Sequence, residues 1–162
     1  MRGLVIAACL AASACGFQLR GDSPAGLKSL HVTTDAPSGV ALEIRRQLSG
    51  GPARLAPAPG EAQAHLRILS EGTEKSIQTL TGTGRVFDYA LRLRVGYQVT
   101  GAGERALIEP AQIEVRRIVS YSETAPLAKE IEERQLFEDM RAEAASQILR
   151  RISVVLAGAA PK

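Results

Sequence analysis

The chain has 162 residues, with 20 Lys and Arg against 17 Asp and Glu, no Trp and 4% aromatic residues. A balance this close gives no long-range field for a polyanion, and so few rings give no platform for stacked bases. Nucleic acid is therefore not an expected partner. The only cysteines, Cys9 and Cys15, both fall near the start. Removal of a leader up to residue 14 would take Cys9, and acylation of Cys15 would then leave no thiol for a disulfide, a metal or a nucleophile. The length suits one domain that buries about two thirds of its unfolded surface.

Residues 1–14 read as a lipoprotein signal peptide. Arg2 supplies the positive start, Leu4 to Ala14 is uncharged, and the small residues Ser13 and Ala14 stand directly before Cys15. That is the layout of a secretory signal with a processing site. The run is too short to span a bilayer, which takes roughly 20 apolar residues. A cysteine directly after small residues at its end is the mark of lipidation: a diacylglycerol on the thiol and an acyl group on the new amine. No other cofactor is expected. An ordinary secretory signal is the alternative. Residues 15–26 then form the lipidated N-terminus and a Ser-, Pro- and Gly-containing tether.

Residues 27–158 read as a single α+β domain. Leu30 and Val32 alternate with His31 and Thr33, which predicts a first strand over 27–34. A helix follows from about Val40 to Leu48, with Val40, Ile44 and Leu48 on one face and Ser38 or Asp35 as its cap. Gly50 and Gly51 stop it. Pro52 to Gly60 holds three prolines and reads as a loop. Ala64 to Ser70 and Ser76 to Thr81 give a second strand, interrupted or bulged near Glu71 and Gly72. Gly82-Thr83-Gly84 suits a hairpin turn.

The strongest pattern comes next. Phe87, Tyr89, Leu91, Leu93, Val95, Tyr97 and Val99 repeat at period two, which predicts a strand with one buried face. Ile113, Val115, Val119 and Tyr121 mark a further strand, with an irregular start at Pro110. From Pro126 the period turns helical, with Thr124 a possible cap. Leu136, Met140, Ala144, Ile148 and Ile152 form one stripe. Acidic residues near its start and Arg150 and Arg151 near its end agree with the macrodipole. This helix reaches about 30 residues, or roughly 45 Å, longer than a small sheet needs, so a break or an overhang is expected. Residues 159–162 read as a frayed tail. The sum is a two-layer sandwich: a mostly antiparallel sheet of about four strands, covered on one face by one short and one long C-terminal helix.

No catalytic set emerges, and an enzyme is not expected. His31 and His65 lack metal-ligand spacing, so no metal site is expected. Gly82-Thr83-Gly84-Arg85 has neither the lysine nor the following helix of a phosphate loop, and reads as a turn. Arg92 and Arg94 lie on the polar side of the best strand, with Arg67 and Arg116 on matching sides of its neighbours. Arg85 and Lys129 lie near the ends of those elements. Arginine forks suit paired phosphate oxygens. The plain alternative is a solvated sheet face balanced by Asp88 and Glu114.

Cys15-Gly16-Phe17-Gln18-Leu19-Arg20-Gly21 resembles the start of the mature LptE lipoproteins of lipopolysaccharide assembly. So do Leu127-Ala128-Lys129-Glu130, Glu138-Asp139-Met140 and Ala144-Ala145-Ser146-Gln147-Ile148-Leu149-Arg150-Arg151 along the C-terminal helix. The resemblance covers essentially the whole chain and implies an outer-membrane lipoprotein, lipid-anchored at Cys15 on the periplasmic face. It further implies a plug and assembly factor for the large LptD β-barrel that binds lipopolysaccharide during delivery to the outer leaflet. Among basic residues only Lys129 carries over by motif; Arg85 stands near an expected basic position. Lys129, Arg85, Arg92 and Arg94 are the candidate lipopolysaccharide contacts. The alternative is a free periplasm-facing lipoprotein that binds another anionic envelope ligand, such as peptidoglycan.

Overall fold

The computed structural model describes residues 26–122 and 124–158. Leader 1–14, Cys15 and tail 159–162 lie outside the described residues. In chain order the elements are β1 (Ser29–Thr34), α1 (Gly39–Ser49), β2 (Arg54–Leu55), β3 (Ala64–Leu80), β4 (Val86–Gly101), β5 (Ala106–Ser120) and α2 (Pro126–Gly158). They form a five-stranded sheet, ordered β2-β1-β3-β4-β5, with both helices packed on the core side.

The α+β class stands, but the sheet has five strands rather than about four, and it is mixed. β1 pairs with β3 in parallel, as a strand–helix–strand connection through α1 requires. The added strand, β2, is two residues inside the proline-rich stretch, too short for any periodicity. Arg54 N–H donates to Lys28 O and Ala56 N–H to Leu30 O, both at 2.9 Å. β3, β4 and β5 are antiparallel neighbours.

Ser38 caps α1 by accepting from the Ala41 N–H at 3.0 Å. α1 buries Val40, Ala41, Ile44 and Leu48, the face its period-four spacing dictates. α2 runs 33 residues without interruption, about 50 Å. Met140, Ala144, Ile148 and Ile152 are fully or almost fully buried, whereas Leu127 and Ile131 near its start are exposed. The overhang is therefore real and the break is not. Thr124 does not hold the capping position: the Ala125 carbonyl accepts the first helical bond, from Lys129 N–H.

β3 is one strand, not two. Its register shifts between Ile68 and Ser70, just before the expected bulge. The extra residue reverses the side-chain alternation. Ile68 faces the buried Tyr97, and Glu71 then faces the buried Val95. Beyond the shift the helix side of β3 thus carries Glu71, Thr73, Lys75 and Ile77. A second irregularity, between Ile108 and Ala111, falls at Pro110. β5 is an edge strand, where a missing N–H is tolerated.

The chain enters the body beside the last turns of α2. A Cβ on Gly26 would lie 3.4 Å from the Ser153 carbonyl oxygen and 3.6 Å from Ala157 Cβ. The β3–β4 hairpin and the first turn of α2 form the opposite end.

Candidate functional site

The basic residues singled out from the sequence divide into two groups. Arg92 and Arg94 lie side by side on the sheet face away from the helices. Glu74 bridges them: Oε1 accepts from Arg92 Nη1 at 3.1 Å and Oε2 from Arg94 Nη1 at 3.0 Å. Arg94 Nε donates to Glu114 at 2.8 Å. The Arg94 contact, with Arg92 and Arg116 nearby, holds the Glu114 carboxyl below its ordinary range. Arg116 lies opposite Arg92 and donates to Gln78. Arg67 is paired with Asp35 at 2.7 Å. This face carries a ladder of charges of both signs, and Arg67, Arg92, Arg94 and Arg116 are each already held. Such exposed pairs are individually weak, because their charges stay solvated and screened. Glu74 escaped the sequence reading because β3 was expected to break beside it.

Arg85 and Lys129 belong to the hairpin end. Arg85 closes the turn: Thr81 N–H donates to Arg85 O at 2.7 Å, and Arg85 N–H to Thr81 Oγ1 at 3.0 Å. Gly84, with φ of 80°, takes the left-handed position this turn needs. Lys129 Nζ donates to Glu132 at 2.8 Å and to Ser120 Oγ at 3.0 Å, which ties the first turn of α2 to the end of β5. A third cation, Lys75, joins them at this end. It pairs with Glu133 and stands 4.5 Å from the centre of the Tyr89 ring. Its role was hidden in the sequence by the same register shift that turns Glu71 inward.

The two histidines meet. His31 and His65 are direct partners across β1 and β3, with ring centres 5.1 Å apart. His31 Nδ1 is 2.9 Å from the Ala56 carbonyl, and His65 Nε2 is 2.8 Å from Thr33 Oγ1. Burial first, then the neighbouring His31 and Arg67, push the His65 imidazole below its ordinary pKa. Separated by 34 positions, the pair carries no sequence signal. Among the described residues no group of three or more His, Cys, Asp or Glu is placed to hold a metal ion. No helix there is long and apolar enough to cross a membrane.

The family model of LptE, lipopolysaccharide-assembly, matches residues 27–152, which is nearly the whole described body. The chain is 29% identical to the LPS-assembly lipoprotein LptE of Pectobacterium atrosepticum, over 91% of this chain and 82% of that one. It is 31% identical to the protein of the same name from Yersinia pestis, over 91% of this chain and 72% of that one. Among solved structures, lipoprotein B from Nitrosomonas europaea superposes with a TM-score of 0.74 at 28% identity, covering 88% of this chain and 93% of that one. The rare lipoprotein B from Shewanella oneidensis gives 0.70 at 26% identity, over 81% and 98%. With the match running from the first strand to the C-terminal helix, the chain belongs to the LptE family of lipopolysaccharide-assembly lipoproteins.

Proposed function

We propose that the chain is the lipoprotein subunit of a lipopolysaccharide translocon in the outer membrane. It is anchored through acyl chains on Cys15, seated as a plug in an LptD-type β-barrel, and acts as that barrel's assembly factor. It binds lipopolysaccharide on its way to the outer leaflet and performs no catalysis of its own. The observation that carries this reading is the family match over residues 27–152. The polar, charge-laddered sheet face supports it, because a body inside a wet barrel needs a water-compatible exterior. At about 0.8 kcal/mol per buried CH₂, two or three acyl chains hold such a body at a membrane.

The proposed lipopolysaccharide contacts are Lys129 and Arg85, at one end of the body. Arg92 and Arg94 contribute only by exchanging Glu74 and Glu114 for phosphate oxygens. The test is extraction of the native chain in mild detergent. Co-purification with a large barrel, together with loss of surface lipopolysaccharide on depletion, is the expected result. A chain that extracts alone, with a cell-wall defect and normal lipopolysaccharide on depletion, would favour a periplasm-facing lipoprotein serving another anionic polymer.

A further inference from the structure

The histidine pair is not used by the proposed lipopolysaccharide contacts. Leu30, Val32, Ala64 and Leu66 turn inward to the core, so by strand alternation His31 and His65 turn to the face away from the helices. They are register partners on the parallel neighbours β1 and β3, and both are partly exposed. Their separation in sequence excludes a local metal motif, but not a site made by strand pairing. Neighbouring strands stand about 4.8 Å apart, close enough for two rings to serve one small ligand.

The ring geometry selects that ligand. The ring centres are 5.1 Å apart and the planes are tilted by 50°, so the rings do not stack face to face. A first-row divalent ion binds an imidazole nitrogen at about 2.1 Å. Each ring centre then lies about 3.2 Å from the ion, and two such centres lie roughly 4.5–5.2 Å apart between square-planar and tetrahedral angles. The observed separation falls at the tetrahedral end of that range.

The ring nitrogens are prepared for such an ion. A carbonyl only accepts, so the 2.9 Å contact with Ala56 fixes a hydrogen on His31 Nδ1, and the neutral ring keeps its lone pair on Nε2. His65 Nε2 is held by the Thr33 hydroxyl at 2.8 Å, which leaves Nδ1 as its second nitrogen. An outer hydrogen bond on the other ring nitrogen is the usual companion of a metal-ligating histidine. Arg67, two residues along β3 from His65, is paired with Asp35 at 2.7 Å. Its charge is thereby offset. Among the described residues no group of three or more His, Cys, Asp or Glu is placed together, so water fills the remaining positions and binding is reversible.

We propose that His31 and His65 chelate one first-row divalent cation, Cu²⁺ more tightly than Zn²⁺, as a clamp across β1 and β3. Neutral imidazole selects such ions over Mg²⁺ and Ca²⁺, which take oxygen ligands, and Cu²⁺ stands above Zn²⁺ in the general order of affinity. An ion held by both strands stabilises the folded chain by mass action. The clamp neither rests on the lipopolysaccharide reading nor alters it.

The native chain, in dodecylmaltoside and a non-coordinating buffer near neutral pH, is titrated with Cu²⁺, and pulsed EPR counts the coordinated imidazoles. The chain has two histidines, so a two-imidazole signal that persists on dilution comes from this pair alone. That signal is expected, together with a rise in unfolding temperature that saturates with Cu²⁺. His31→Gln and His65→Gln should each reduce the signal to one imidazole, weaken binding at least about tenfold and remove the thermal rise. Zn²⁺ should displace Cu²⁺ only in large excess, and Mg²⁺ should not displace it. A one-imidazole signal in the unsubstituted chain, a two-imidazole signal that fades on dilution, or binding that both substitutions leave intact overturns the clamp.

Discussion

Glu71 of β3 and Arg141 of α2, 70 positions apart in sequence, meet at 3.0 Å. The other carboxylate oxygen of Glu71 accepts from Ser38 Oγ at 2.7 Å and from the Val40 N–H at 2.9 Å. One nearly buried carboxylate thus joins the sheet to both helices, and it sits at the positive end of α1. Gly39 leaves room for this: a Cβ there would approach Arg141 Cδ to 2.6 Å.

The two partners are not equivalent. Glu71→Ala strips a half-buried guanidinium, the Ser38 hydroxyl and a helix N–H of their acceptor at once. It is expected to cost about 3 kcal/mol. Arg141→Ala leaves the carboxylate with its other two donors and is expected to cost about 1 kcal/mol. Urea unfolding midpoints at unchanged m-value measure both. Equal costs would mean that the ion pair alone, rather than the three-way junction, holds the helices.

The histidine pair gives a pH dependence. His65 is harder to protonate in the folded chain than in the unfolded one. The unfolded state therefore binds more protons in the window below the ordinary value of about 6.5. Stability is fully present above that value and is lost as pH falls toward the lowered folded pKa. His65→Gln is expected to flatten this slope between about pH 7 and 5, read from urea midpoints at each pH. An unaltered slope would show that His65 is not the group whose protonation drives it.

Charge removal separates the two basic groups. Lys129→Ala is expected to lower lipopolysaccharide retention several-fold in dilute buffer, with the difference shrinking near 1 M salt, where the screening length is about 3 Å. Arg94→Ala is expected to change retention less, because its charge is already engaged by Glu74 and Glu114. Its effect on stability should be small, because both charges of each pair stay solvated and screened. Retention on immobilised lipopolysaccharide across a salt series is the measurement, and the reverse ranking would move the binding face to the open sheet.

Cys15→Ala is expected to abolish incorporation of labelled palmitate and release the chain from the membrane fraction. The unfolding temperature of the released body should match that of the parent, because the core is built from residues 27–152. Retained label would mean that the acylation point lies elsewhere.

The long elements were legible because their patterns repeat. Seven alternating apolar residues announced β4, and a stripe four residues apart announced α2 down to its overhang. The parallel pairing of β1 with β3 followed from a helix between two strands, yet the sequence reading did not draw it. β2 was invisible, since two residues among prolines have no period. The site was read less completely, and one displaced bulge accounts for much of that. Moving the register shift to Ile68–Ser70 turns Glu71 and Lys75 toward the helices and puts Glu74 between two arginines. Arg85 and Lys129 were located at element ends by the turn chemistry of Gly82 to Gly84 and by the start of the helical period.

Gly26 resting against Ser153 and Ala157 brings the incoming chain and the final turns of α2 to a common pole. A fluorescent protein or purification handle appended behind Gly158 therefore departs from the pole where Gly26 enters the body and leaves the hairpin unobstructed. The same cargo spliced between Gly82 and Gly84 would sit some 50 Å away and block whatever approaches that tip. Comparing the two fusions in cells distinguishes a chain that works by being tethered from one that works through its far extremity.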